Sequence, residues 1–509
     1  MNVKDVLRHS EKLHADKTAL VSPTGRLTYA EFGSNCDALG RALYQLGLRK
    51  GDRVAVLDFN SLEVCLCSFA VPACGLVCLP LNFRLAPAEM EGIWADAGIS
   101  ALIYAPEFGA VADGLRSRLP SQVHLICTRP RAGSHDFHRI MHDAPDRVTA
   151  DPFDDDLAHL LYTSGTTGKP KGVQLTHGNI TTTLKSLLIE FSLQPEDRAL
   201  MVAPLFHVAA CHSYMALAGR GCTVNLLPAF DPVKVLDAVA SVAPTFTMLV
   251  PAMISALLNC PGQERVDVSS LRLIVYAGAP MPEDLLKAAM QRFGNVLLQV
   301  YGLTETSALT CLRAEDHLNR GLIASAGRQM FGNEVLVVDE SGRPVPPGTI
   351  GEVAARGCNV TAGYWNAPDE TRAVLRNGWF HTGDVGRQDP QGYLFLRDRK
   401  KELIVSGGEN VYPVEVENVL YEMPQIAEAA VIGVPDEKWG ERVHAIVHLR
   451  PDEQIDPQEI IDYCRSKLAG YKCPKTIELS GPLPRTPSGK VQKYVLRAEY
   501  RKGESRSIR

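Results

Sequence analysis

The sequence predicts an α/β protein: a large N-terminal body of parallel-sheet α/β subdomains plus a β-rich subdomain, followed by a small α+β C-terminal domain. Three observations carry this prediction. Up to about residue 320, short apolar runs of strand length alternate with stretches of helical periodicity, the pattern of parallel strands covered by helices. From about residue 327 the apolar runs are joined instead by tight polar turns. At 397–402 the charged run RDRKKE opens a compact tail, so the chain divides into a body of 1–397 and a tail of 398–509. At roughly 150 residues per domain, 509 residues suggest about three folding units.

In chain order, residues 32–46 carry Phe32, Leu39, Leu43 and Leu46 at helical spacing. RVAVL at 53–57 reads as a short buried strand, and 76–81, 101–104 and 123–127 repeat the signal. Strands are predicted again at 157–162, 223–227, 245–250, 271–276 and 296–299, with helices between them. A hairpin meander follows, built from 335–338, the turn DESGRP at 339–344, and 350–356. In the tail, Pro413 is placed to open a helix, 429–434 and 442–449 read as strands, and 455–468 reads as a helix. The most apolar run, 62–81, is long enough to cross a bilayer. It contains Glu63, Ser68, Pro72, Gly75 and Pro80, which a buried helix–turn–strand explains better than a membrane span.

Composition narrows the function. Hydrophobic residues make up 45% and charged residues 22%, as in ordinary globular proteins, which excludes disorder or coiled coil for the chain as a whole. Lys and Arg total 53 against 58 Asp and Glu, a formal charge of −5, so no global basic field draws the protein to nucleic acid. The N-terminus, MNVKDVLRHSEKLHADK, lacks the apolar core of a secretory signal and carries the acids that transit peptides avoid. A cytoplasmic location is therefore expected. The 13 cysteines lie in apolar runs without the C-x2-C spacing of metal sites and are expected to be buried free thiols. This composition favours an enzyme without naming one.

The strongest local signal is YTSGTTGKPKG at 162–172. An apolar strand runs into a loop of Thr163, Ser164, Gly165, Thr166, Thr167 and Gly168, closed by Lys169 and Lys171. Small residues let backbone N–H groups approach an anion, the hydroxyls can donate to phosphate oxygens, and either lysine supplies positive charge. It is not a Walker A loop, which needs glycine where Thr163 stands and a hydroxyl residue where Pro170 follows Lys169.

This loop resembles the phosphate-binding signature of the adenylate-forming superfamily, which holds acyl-CoA synthetases, peptide-synthetase adenylation domains and firefly luciferase. Four further blocks follow in that family's order: YGLTET at 301–306, GWFHTGD at 378–384, RDRKKELIVSGGENVYPVEVE at 397–417 and PRTPSGK at 484–490. Five blocks spanning nearly the whole chain identify it as a member of this superfamily.

The resemblance implies a reaction in two halves. A carboxylate attacks the α-phosphorus of ATP to give acyl-adenylate and pyrophosphate, and a thiol then takes the acyl group. Such a crowded anionic transition state calls for positive charge and a divalent ion. Lys490 matches the lysine that contacts the carboxylate and α-phosphate. Glu305 matches the Mg2+-binding glutamate, with Thr163 as a second oxygen donor; read alone, Glu305 would be a helix cap. Gly278, Ala279 and Pro280 resemble the segment lining the adenine pocket. Tyr301 would stack on the base, in the nucleotide-binding block with Gly302, Leu303 and Thr304. Asp384 resembles the ribose-binding carboxylate, assisted by Arg399. Trp379 in the same block is as well explained by core packing.

Lys401 falls at the family's hinge position. Rotation of the small domain there is expected to withdraw Lys490 after adenylation and bring in Ser406, Gly407, Gly408 and Glu409, with the glycines giving passage to the pantetheine arm of CoA. His207 in APLFHVAA resembles a residue that gates the acyl channel, although a histidine in an apolar stretch is more often a core residue. His212 is read as structural.

The acyl pocket is expected to be lined by Phe206, Met248, Val250, Tyr276, Ala277, Ala308 and Leu309, an apolar set suited to a hydrocarbon or aromatic acid. Overall the chain resembles fatty-acid–CoA ligases, with a medium- or long-chain fatty acid the first expectation and an aryl or hydroxycinnamate acid the alternative. A stand-alone adenylating enzyme that loads a carrier protein would share every ATP motif. The implied cosubstrates are ATP, Mg2+ and CoA. Peripheral membrane contact stays open if the substrate is lipid-like, as does a homodimer.

Overall fold

The computed structural model describes residues 1–116, 123–146, 150–163, 170–279, 281–399, 402, 404–406, 409–436, 439–468, 470–485 and 490–501. Two mainly parallel sheets make the body. The strand Arg53–Leu57 shows how one of them is covered. Val54 and Val56 face the central core, while Ala55 and Leu57 face a second cluster under the helix Pro87–Ala97. Alternate residues of a strand point to opposite faces, so an all-apolar run is what a strand buried on both sides requires.

This first sheet has eight strands, in the order Gly363–Tyr364, Lys171–Thr176, Leu157–Thr163, Val77–Pro80, Arg53–Leu57, Ile99–Tyr104, His124–Cys127 and His135–Asp136. The nine-stranded second sheet has Leu297–Tyr301, Leu273–Ala277, Phe246–Leu249, Arg198–Met201 and Thr223–Leu226 as its parallel centre. The helices Tyr29–Gln45, Leu62–Ala73, His177–Glu190 and Val208–Arg220 contribute to the core shared by the two sheets. Pro232–Val242, Pro251–Leu258 and Glu283–Phe293 cover the outer face of the second sheet. The body is thus five alternating layers of helix and sheet.

The apolar run 62–81 folds as the helix Leu62–Ala73, a turn through Gly75 at φ +78°, and the strand Val77–Pro80. Ser61 caps that helix by accepting from Val64 N at 3.2 Å. Among the described residues no helix is long and apolar enough to cross a membrane. All 13 cysteines are free, and all but Cys358 are buried.

The meander is a third sheet, antiparallel, in which Asn333–Val338 pairs with Gly351–Gly357, and this in turn with Trp379–Gln388. Leu394–Arg399 pairs with the other edge of Trp379–Gln388. The C-terminal unit has its own sheet around Ile426–Asp436 and Gly440–Leu449, with a separate core formed by the helices Pro413–Tyr421 and Pro457–Lys467. One local feature differs from the sequence reading: Lys171, read as closing a loop, begins the strand Lys171–Thr176.

Candidate active site

Ligands of open α/β sheets bind beyond the carboxyl ends of their parallel strands. Leu157–Thr163 delivers the phosphate-loop motif there. Thr163 and Lys171 are cross-strand partners, while Ser164, Gly165, Thr166, Thr167, Gly168 and Lys169 lie outside the described residues. In the second sheet, Leu273–Ala277 is followed by Gly278 at φ +86°, a backbone that L side chains adopt only under strain. Ala279 follows it, and Pro280 is outside the described residues. At Gly302, after Leu297–Tyr301, a Cβ would lie 2.0 Å from Ser307 O, so the YGLTET turn can close only on glycine.

Two clusters form around these ends. In the first, the Tyr301 hydroxyl donates to Asp384 Oδ2 at 2.6 Å. Asp384 is buried, its N–H donates to Thr382 Oγ1 at 3.0 Å, and its strand partner is Arg399. The adenine-side and ribose-side residues named from sequence are therefore neighbours. In the second, the Tyr364 hydroxyl donates to Glu305 Oε1 at 2.7 Å, and Lys171 Nζ lies 5.3 Å from the centre of the Tyr364 ring. The Glu305 backbone carbonyl accepts from Thr361 N at 2.7 Å.

His207 immediately precedes the helix Val208–Arg220. Its ring lies 4.4 Å from that of Phe206, and its Nε2 is buried with no partner among the described residues. Burial, with the nearby Arg84 charge, holds its pKa down to about 4, so the imidazole is neutral at pH 7. Phe206 continues into a row of half-buried rings: Phe83 at 5.2 Å, then Phe59 and Phe108. Met248, Ala277 and Ala308 belong to the central core. Val250 and Tyr276 belong to the outer cluster instead, and the Tyr276 hydroxyl meets His317 Nε2 at 2.9 Å. The structure thus splits the proposed acyl wall between two faces of the sheet. Leu309 lies in a third cluster, with Val335 and Val353. His212 is fully buried.

In the C-terminal unit Lys490 is exposed, next to an antiparallel bridge between Arg485 and Val491. The following helix is anchored by Lys493, whose Nζ lies 2.8 Å from Glu417. Ser406 is buried and pairs with Glu409, while Lys401, Gly407 and Gly408 fall outside the described residues.

Sequence reasoning missed Tyr364 and Asp96. The Tyr162 hydroxyl donates to the Asp96 carboxylate, and the Asp96 carbonyl accepts from Trp365 Nε1 at 3.1 Å and Asn366 Nδ2 at 3.0 Å. Trp365 N also donates to Gly172 O at 2.7 Å. Both flanks of the phosphate loop are therefore tied to the segment GYWN at 363–366. The one sequence signal was an aromatic pair after a glycine, which has no chemistry until the fold places it.

The strand Leu157–Thr163 leading into the Gly/Ser/Thr-rich segment, and Tyr301 bonded to the buried Asp384 at the end of a second parallel strand, are the features that the comparisons with known proteins bear on. Residues 7–365 match the model of the AMP-binding enzyme family, and 415–490 match that of the AMP-binding enzyme C-terminal domain. The chain belongs to that family, in the acyl-CoA synthetase branch of the adenylate-forming superfamily, whose members are AMP-forming acid–thiol ligases. It is 42% identical to a feruloyl-CoA synthase of Amycolatopsis sp over 93% of this chain and 94% of that protein. It is 37% identical to the long-chain-fatty-acid–CoA ligase FadD13 of Mycobacterium tuberculosis, over 98% of both. Among solved structures, the anthranilate CoA ligase AuaEII in complex with anthranoyl-AMP superposes with a TM-score of 0.92 at 29% identity, covering 99% of this chain and 98% of that one.

Proposed function

We propose that the chain joins a hydrophobic carboxylic acid to CoA, with an aryl acid of the hydroxycinnamate kind as the first candidate and a medium- or long-chain fatty acid as the second. The row of rings Phe59, Phe83, Phe108 and Phe206, ending on the neutral His207, carries this reading: an apolar approach with one uncharged polar group at its inner end. The feruloyl-CoA synthase at 42% identity supports the aryl class, and FadD13 at 37% supports the fatty class. The sequence alone ranked these in the reverse order.

The acid's carboxylate attacks the α-phosphorus of ATP, the bond to pyrophosphate breaks, and acyl-adenylate forms. The thiol of CoA then attacks the acyl carbon, and AMP leaves. Lys490 neutralises the attacking carboxylate and α-phosphate in the first half, and the phosphate loop with Lys169 and Lys171 holds the leaving pyrophosphate. Tyr301 and Asp384, with Arg399, fix the nucleoside. The domain boundary at 398 and the hinge at Lys401 serve the exchange of Lys490 for the segment 406–409 between the halves.

The oxygen donors Glu305 and Thr163 suit Mg2+, which proteins commonly hold through one or two carboxylates together with substrate phosphates. Bound there, the ion supplies charge neutralisation at the phosphates. The decisive experiment is a CoA-dependent AMP-release screen across fatty acids of different length, benzoates and cinnamates. Turnover confined to the aryl acids or to the fatty acids settles the class. Turnover with a carrier protein in preference to CoA would overturn the acceptor.

A further inference from the structure

Glu305 is oriented by a tyrosine from a distant part of the chain. The segment that supplies it is built into the first sheet: Gly363 and Tyr364 pair antiparallel with Gln174 and Val173, next to the strand that opens at Lys171. Three further bonds fix its course. Thr361 N donates to the Glu305 carbonyl at 2.7 Å, Trp365 N donates to Gly172 O at 2.7 Å, and Tyr364 N donates to Thr371 Oγ1 at 2.9 Å. Tyr364 is buried, and its hydroxyl points to Glu305 Oε1 at 2.7 Å. Its ring lies beneath the Lys171 ammonium, with 5.3 Å between Nζ and the ring centre. One side chain thus meets both the Glu305 carboxylate and the ammonium of Lys171.

We propose that Tyr364 is a positioning residue for the adenylation half-reaction, holding the Glu305 carboxylate in the orientation that receives a divalent cation. The proposal rests on the functional reading above. A carboxylate on a turn can rotate about its χ angles, and a hydroxyl donating to one oxygen removes that freedom while leaving the other oxygen to a ligand. Hydrogen bonds of this kind to a ligating carboxylate are worth 10–100-fold in metal affinity or activity. Because the hydroxyl and the ring have different partners, they can be separated experimentally.

Tyr364→Phe deletes the hydroxyl and keeps the ring under Lys171. Mn2+ affinity is read by electron paramagnetic resonance with α,β-methylene-ATP bound, alongside the Mg2+ dependence of AMP release. Thioester formation from supplied acyl-adenylate and the melting temperature are measured in parallel. The expected result is a roughly 10–100-fold rise in the Mn2+ dissociation constant and in half-saturating Mg2+. The thioester step should stay within about twofold, because it needs no pyrophosphate-bound cation. In a Glu305→Gln background, Tyr364→Phe should add less than about twofold. Unchanged Mn2+ affinity, or a loss shared equally by both half-reactions, overturns the proposal. If the unsubstituted enzyme forms no adenylate from any acid with Mg2+ and ATP, the functional reading has failed instead.

Discussion

The Tyr301 hydroxyl and Asp384 Oδ2, 2.6 Å apart, join the end of a parallel strand to the antiparallel sheet. The tyrosine hydroxyl thus holds the carboxylate proposed for the ribose, while its ring is the one proposed to stack on the base. A hydrogen bond to a charged group contributes about 1.5–3 kcal/mol. Tyr301→Phe should accordingly raise KM for ATP by roughly tenfold or more, with kcat changed by less than about threefold. Asp384→Ala should raise it further. Steady-state kinetics at saturating acid and CoA provide the check. A rise in the KM for the acid alone would move this pair to the acyl site.

Among the buried histidines that no catalytic role uses are His159, His177 and His212. The rings of His159 and His212 are 6.1 Å apart, and His177 Nδ1 accepts from Val3 N at 3.1 Å, which requires that nitrogen to be unprotonated. Burial lowers His159 and His177 to about 4 and His212 to about 3, with His159 adding repulsion to the other two. An unfolded histidine takes its proton near pH 6.5, so between there and about pH 4 the unfolded chain binds more protons. Stability is thus fully present above pH 6.5 and falls as the pH drops toward 4, by up to about 3 kcal/mol for each group. Thermal melts across this range should show the loss, and His212→Leu should make the curve shallower. An identical pH dependence in that variant would assign the acid sensitivity to other groups.

Tyr162, directly before the phosphate loop, donates to the Asp96 carboxylate, while the Asp96 carbonyl is held by Trp365 and Asn366. Removing the tyrosine hydroxyl leaves the loop's first flank without its polar tether. We expect Tyr162→Phe to weaken equilibrium ATP binding by about three- to tenfold, the worth of one hydrogen bond. Binding of acyl-adenylate, which carries no β- or γ-phosphate, should change less. Equal losses for the two ligands would mean that the tether acts on the nucleoside end.

Why these tethers were illegible, while most strands were not, follows from what each signal depends on. RVAVL at 53–57 is apolar on both faces because both faces are buried, so the pattern is written in five adjacent residues. The meander was likewise local: its first two strands pair with each other and are joined by 339–350, which opens on the polar turn DESGRP. The Tyr364–Glu305 bond joins positions 59 apart, and Trp365–Asp96 positions 269 apart. Nothing near Tyr364 in sequence distinguishes a buried donor from an ordinary core aromatic. Register explains the acyl wall in the same way. Tyr276 and Ala277 are neighbours in a strand, so their side chains must take opposite faces, and only Ala277 reaches the central core. The motif blocks were legible as the signature of a family, but the bonds that support them were not.

The two half-reactions make the last prediction. Lys490 lies in the C-terminal unit, beside the bridge Arg485–Val491 and ahead of a helix tied to Glu417 through Lys493. On the proposed mechanism it serves adenylation in one orientation of that unit, and the segment 406–409 serves thioester formation in another. Lys490→Ala should therefore abolish adenylation, by several orders of magnitude in rate, and leave thioester formation from supplied acyl-adenylate intact. Lys401→Pro restricts the backbone at the proposed hinge and should do the opposite: adenylate accumulates and can be trapped, but its transfer to CoA slows. Rapid-quench assays of each half-reaction distinguish the two. If Lys401→Pro slows both halves equally, the hinge lies elsewhere. If Lys490→Ala blocks transfer from supplied adenylate as well, the lysine is not confined to the first half.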